Sequence, residues 1–115
     1  PTMALAGSYH LIANATITQL GCHPQLPGAD ANISPTCMFR IQDSSEVTAY
    51  GPPTCNMHGG GNLRWDASSP AGRNTLAMLQ GAFLSGKTVD IGLATDECYT
   101  LQGGHPTFRF VEVHQ

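Results

Sequence analysis

The chain has 115 residues, of which 11% are charged, against ~25% in an ordinary soluble domain, and its formal net charge is −3. Five Lys and Arg in all exclude the basic footprint that nucleic acid requires and the polybasic patch that binds an anionic membrane surface. No apolar run reaches the ~20 residues that span a bilayer.

The length fits one domain, residues 1–115, with a core of its own and a size at which cross-links help. Polarity comes mainly from neutral Ser, Thr, Asn, Gln and Gly, a balance that suits an extracellular surface. Four cysteines, Cys22, Cys37, Cys55 and Cys98, include no CxxC pair, so two disulfides in an oxidising compartment are expected and a zinc site is not. The expected location is therefore secreted, with Pro1 read as a processed end from which a signal peptide has gone.

Residues 1–7 are small and apolar and read as an arm or edge segment. From 8 to 20, Leu11, Ile12, Ile17 and Leu20, with Thr16 and Thr18 between them, predict one long strand with room for a bulge. Three prolines with Gly28 and Asp30 make 21–35 a protruding loop. Cys37, Phe39 and Ile41 alternate with Met38, Arg40 and Gln42 as a second strand. A turn at 43–46 and a third strand at 47–50 would complete a hairpin, ended by Gly51, Pro52 and Pro53. Residues 56–62, with three consecutive glycines, read as a flexible loop, and 63–65 as a short strand.

The central stretch is the most legible. Ser68, Ser69 and Pro70 have the grammar of a helix start, and Leu76, Leu79 and Phe83 follow as an apolar stripe. Gly86 supplies the stop. The helix is expected at about 69–85, roughly four turns at ~3.6 residues each. Ala77, Gly81 and Leu84 form a second stripe that permits close approach by another backbone or subunit. Val89, Ile91 and Leu93 then alternate as a strand, 96–106 is a polar loop, and 107–113 is a final strand rich in aromatic and branched residues. No internal repeat is present. The fold class is therefore β-rich (α+β): a small OB-like Greek-key barrel of five to six antiparallel strands with one α-helix and two disulfides.

The run Cys37-Met38-Phe39, then Cys55-Asn56-Met57, Trp65, and the helix ending Ala82-Phe83-Leu84-Ser85-Gly86-Lys87 before a strand, resembles the B subunits of AB-type bacterial toxins. The pertussis-toxin and subtilase-cytotoxin groups are the nearest in pattern, and 64–87 is also similar to a group of uncharacterised secreted bacterial domains. The resemblance covers roughly 8–113; it lacks the toxin subunits' cysteine pair near the C-terminus and adds loop at 21–35. It implies an OB-fold that assembles as a ring, such as a pentamer, and binds cell-surface glycans or glycoproteins. It also implies Cys37–Cys55 across the hairpin with Cys22–Cys98, whereas the loops themselves favour Cys55–Cys98 with Cys22–Cys37.

No GxSxG elbow, HExxH motif or glycine-rich phosphate loop occurs, so no enzyme and no cofactor is expected. His10, His23, His58, His105 and His114 read as solvated histidines, and the acid pairs Asp43 with Glu46 and Asp96 with Glu97 as turn residues, with calcium binding the alternative. Trp65 is a lectin clue if exposed and a core residue if not. Candidate ligand-binding residues are Asn56, His58, Asn62, Asp96 and Tyr99, which bring amide, imidazole, carboxylate and aromatic groups to the two loops of the favoured Cys55–Cys98 link. The function expected is a secreted lectin-like module; the alternative is an inhibitor or interaction domain presenting 21–35. Asn14-Ala15-Thr16 and Asn32-Ile33-Ser34 are N-glycosylation sequons, meaningful in a eukaryotic host.

Overall fold

Ile12 and Ile17 are both buried, which one straight strand forbids, because residues an odd number apart point to opposite faces. The chain resolves this with a corner. Asn14 takes φ 55°, a left-handed conformation that Asn tolerates better than most residues. In a computed structural model, which describes residues 7–23, 35–57, 61–100 and 104–114, the expected long strand is therefore two: β1 (Tyr9–Ala15) and β2 (Ile17–His23).

The remaining elements are β3 (Thr36–Ile41), α1 (Ser45–Tyr50), β4 (Leu63–Asp66), α2 (Pro70–Ser85), β5 (Val89–Ala94) and β6 (Phe108–Val113). The six strands form two three-stranded antiparallel sheets, in the orders β1-β5-β6 and β2-β3-β4. Asn14–Ala15–Thr16 carries the chain from one sheet to the other. The sheets do not close into a barrel among the described residues. Between β4 and the run into β6 the link is local: the Arg64 N–H donates to the Pro106 carbonyl at 2.9 Å, and the Thr107 hydroxyl to the Arg64 carbonyl at 2.7 Å.

The expected hairpin strand at 47–50 is instead the helix α1. Both edges of β3 are taken, by β2 and by β4, so this segment has no free ladder to join. Its β-branched residues lose to local bonding: Asp43 Oδ1 accepts from the Ser45 N–H at 3.0 Å, and the Thr48 N–H donates to the Ser44 carbonyl at 3.2 Å.

α2 starts and stops where expected. Ser69 Oγ accepts from the Gly72 N–H at 3.0 Å, Pro70 leads the first turn, and Gly86 caps the end at φ 70°. The buried line differs from the expected stripe: Gly72, Leu79 and Ala82 face inward, while Phe83 is 39% exposed. Gly72 sets this rotation, because a Cβ there would lie 2.0 Å from the Asp66 carbonyl oxygen. At this first turn the helix folds back against the end of β4, and a larger residue has no room.

Trp65 is a core residue, 7% exposed. Its ring meets Phe39 and Phe108 edge-to-face at centroid distances of 6.1 and 5.5 Å, and those two meet each other at 5.5 Å. This trio joins β3 and β4 of one sheet to β6 of the other, each pair contributing ~0.5–1.5 kcal/mol beyond its buried area. Leu63, Leu79, Ile91, Leu93, Val47 and Val89 are among the other side chains of the core. Cys22 pairs with Cys37 as direct cross-strand neighbours, and Cys55 with Cys98, the connectivity the loops favoured over the toxin-like one. No helix among the described residues is long and apolar enough to cross a membrane.

Candidate functional site

The expected loop cluster is only partly assembled. The Asn56 N–H donates to the Gly104 carbonyl and the Tyr99 N–H to the His105 carbonyl, both at 2.7 Å, so Asn56 and Tyr99 flank one stretch of backbone. Tyr99 is half-buried and its hydroxyl shares a 2.8 Å hydrogen bond with Thr36 Oγ1. Burial lowers the pKa of the neighbouring Arg64, with Tyr99 acting in the opposite direction. Asn62 is half-buried as well.

Asp96 is engaged with partners of its own. Its carboxylate binds Arg109 and accepts from the Ser8 N–H, while Arg109 also reaches Glu97 at 2.7 Å. Desolvation raises the Asp96 pKa, but the hydrogen bonds and charge of Arg109 with the Ser8 N–H outweigh it, so the net shift is downward. The acid pair read as a calcium alternative is thus an arginine clamp holding β6 to the end of β5. His58, the sequon at Asn32 and residues 24–34 of the proline-rich loop lie outside the described residues. Among the described residues, no three His, Cys, Asp or Glu side chains are placed to hold a metal.

A different place on the surface is concave. The chain's corner and the turn into α1 enclose a cleft of about 210 Å³, lined by Ile12, Asn14, Thr16, Gln42, Asp43 and Glu46 together with the small side chains of Ala13 and Ala15. Two backbone features build it. The Gln42 N–H donates to the Thr16 carbonyl at 2.8 Å, tying the two lining stretches together, and Asp90 Oδ1 accepts from the Asn14 N–H at 2.9 Å, which holds the corner.

Along α1, Glu46 and Tyr50 stand four residues apart on one face. Both engage His10 of β1: Glu46 Oε1 lies 2.7 Å from His10 Nε2, and the Tyr50 ring stacks on the imidazole at 3.7 Å with 9° between planes. Tyr50 remains 50% exposed, one helical turn from Glu46. The Ser45 backbone N–H, and after it the Ser45 hydroxyl, hold the Asp43 carboxyl below its ordinary value, so it is ionised at neutral pH. The cleft therefore offers two amides, a hydroxyl and two carboxylates.

Comparison of the chain with family models, with curated proteins and with solved structures found no match. The geometry stands by itself.

Sequence reasoning missed this cleft because its residues come from two stretches read separately, one as a strand and one as a turn. Asn14 and Thr16 stood out only as a sequon, and Asp43 with Glu46 only as an acid pair. One signal was present: an Asn set between apolar residues an odd number apart marks a bend. That bend is what turns polar side chains from two elements towards one space.

Proposed function

We propose that the protein is a secreted carbohydrate-binding, lectin-like domain that holds a sugar in the cleft between its strand corner and α1. The observation that carries this reading is the union of Asn14, Thr16, Gln42, Asp43 and Glu46 around one concavity, with the exposed Tyr50 ring one turn along α1 from Glu46. Amides and carboxylates bond hydroxyls in both donor and acceptor directions, and an aromatic ring takes the apolar face of a pyranose. The volume lies below the ~300–1,000 Å³ of drug-sized pockets, a size for one sugar ring.

Binding without turnover fits the electrostatics. Glycoside hydrolysis needs one carboxyl with a raised pKa to protonate the leaving oxygen. Asp43 is shifted the other way, and Glu46 is committed to His10.

The strand order supports an OB-like reading. One bent first strand shared by two sheets, a meander through β3 and β4, then a helix and a final antiparallel pair is the order such a barrel follows, lacking here a ladder between β4 and β6. Self-association belongs to the same reading: Leu84 is 84% exposed, and no atom lies within 4 Å of a Cβ built on Gly81. A ring of copies would give weak single sites useful avidity. Kinship with toxin B subunits remains part of this proposal and rests on the sequence pattern alone. The two disulfides support an oxidising, extracellular setting.

A glycan array with the intact chain tests the function. Binding that falls at least about tenfold in Asn14→Gly, which keeps the left-handed corner, and in Gln42→Ala, with the melting temperature kept, supports it. Failure to bind any glycan overturns it.

A further inference from the structure

We propose that Cys22 is a site of thiol–disulfide exchange: a small external thiol opens the Cys22–Cys37 bridge there, while Cys55–Cys98 stays closed as part of the frame. The two ends of the first bridge are unlike. Cys22 is exposed near the end of β2, which lies at the edge of its sheet among the described residues. Cys37 is 2% exposed and belongs to the core, with Trp65 as its cross-strand neighbour on β4. A reductant in solution therefore reaches one sulfur and not the other. The second bridge has no such open end. Cys55 is 6% exposed and Cys98 is half-buried. The chain around them is tied down as well: the Cys55 N–H donates to the Pro52 carbonyl at 3.0 Å, and the Asn56 and Tyr99 N–H groups donate to Gly104 and His105 at 2.7 Å.

Opening the first bridge leaves the β2–β3 ladder in place. Cys22 and Cys37 stand directly opposite, with Cα atoms 4.0 Å apart. That is the closer, non-hydrogen-bonded kind of antiparallel pair, at ~4.5 Å against ~5.5 Å for the bonded kind. The ladder bonds thus fall to the flanking pairs, Gly21 with Met38 and His23 with Thr36, and these persist when the sulfurs part.

The exchange takes two steps. An external thiolate attacks Cys22 Sγ, forming a mixed disulfide; the bond to Cys37 breaks and its electron pair leaves on Cys37, which takes a proton from water because apolar surroundings disfavour a thiolate. As a buried thiol, Cys37 is a poor nucleophile for the return, so the mixed disulfide on Cys22 persists. A second external thiolate then attacks the first reductant's sulfur and releases Cys22. The external thiols supply both electrons and end as their own disulfide.

Limiting reduced glutathione, added to the oxidised full chain and quenched by alkylation, tests this by peptide mass mapping. The Cys22–Cys37 bridge is expected to open at least about tenfold faster than Cys55–Cys98, with glutathione found on Cys22. In concentrated urea both bridges are reached, and the contrast is expected to collapse. The selectively opened protein is expected to keep one cooperative melt at a lower temperature, with faster amide exchange confined to the ends of β2 and β3 near the two cysteines.

Equal or faster opening of Cys55–Cys98 overturns the proposal, and so does glutathione found on Cys37 in place of Cys22. A contrast that survives urea also overturns it, because the fold would then not be its source. Loss of the whole fold on opening the first bridge does the same, by making the bond a structural one.

Discussion

The indole Nε1 of Trp65 donates to the carbonyl oxygen of Gly72 at 2.9 Å, tying the end of β4 to the first turn of α2. That bond and the tight approach at Gly72 together set how the helix lies on the β-layer. Trp65→Phe removes this bond, while the Gly72 carbonyl keeps its helical donor, and is expected to cost about 0.5–1.5 kcal/mol for the bond, read as a drop in the urea midpoint.

Two glycines of the same helix are expected to answer alanine with opposite signs. Gly72→Ala forces a Cβ to within 2.0 Å of the Asp66 carbonyl, so the helix must move away, at about 1–3 kcal/mol or more. Gly81→Ala meets nothing within 4 Å, and alanine's better helix propensity stabilises by about 0.5–1 kcal/mol. Chemical denaturation of the two variants reads both signs; a stabilised Gly72→Ala would show that the close approach is not real.

The two disulfides differ in the length of chain they close, 15 and 43 residues of separation for Cys22–Cys37 and Cys55–Cys98. Loop-closure entropy then gives about 3 kcal/mol for the first and about 4 for the second. Replacing Cys55 and Cys98 together by Ser is expected to lower the melting temperature more than replacing Cys22 and Cys37. The reverse order would mean that the cross-strand bridge carries native-state interactions beyond chain restriction.

Acid sensitivity follows from Asp90 and Asp66. The Asn14 N–H, opposed by desolvation and aided by His114, lowers the Asp90 pKa; the Ser68 hydroxyl and then its N–H lower that of Asp66. A carboxyl with a depressed folded-state pKa binds its proton more weakly folded than unfolded. Its stabilisation is therefore complete above the ordinary Asp value of about 3.9 and is lost as pH falls below that value through the folded-state pKa. Asp90→Asn keeps an acceptor for Asn14 but has no proton to gain. Its stability is expected to fall less steeply than that of the natural chain in scans from pH 7 to about 2, and an identical acid limb would remove Asp90 from the account.

Leu84 tests self-association. At 84% exposure it contributes little to the fold, and Leu84→Glu is expected to change monomer stability by no more than about 0.5 kcal/mol. On light scattering behind a sizing column, the natural chain is expected to elute as an oligomer and the variant as a monomer. A natural chain that stays monomeric at high concentration rules out the ring.

What could be read from the residues alone was whatever rests on near neighbours in the chain. Ser69, Pro70 and Gly86 bound α2 because a cap, a first-turn proline and a left-handed glycine act within a few residues of the backbone they satisfy. The alternation in β3 and β5 was legible for the same reason, since a strand's two faces are written at a period of two. Even the pairing of Cys55 with Cys98 was within reach, as two loops needing a tie.

Tertiary structure decided the rest. Residues 47–50 carry β-forming side chains, yet β2 and β4 already occupy both edges of β3, and the segment winds up as α1. Phe83 has the right spacing for the core, but the steric limit at Gly72 turns Ala82 inward in its place. The candidate site shows the same division. Asn14 and Glu46 stand 32 positions apart and share a cleft only because the corner at Asn14 bends one strand across two sheets. Local preference acts over a turn or two of chain, whereas a cleft depends on which distant surfaces the core brings into contact.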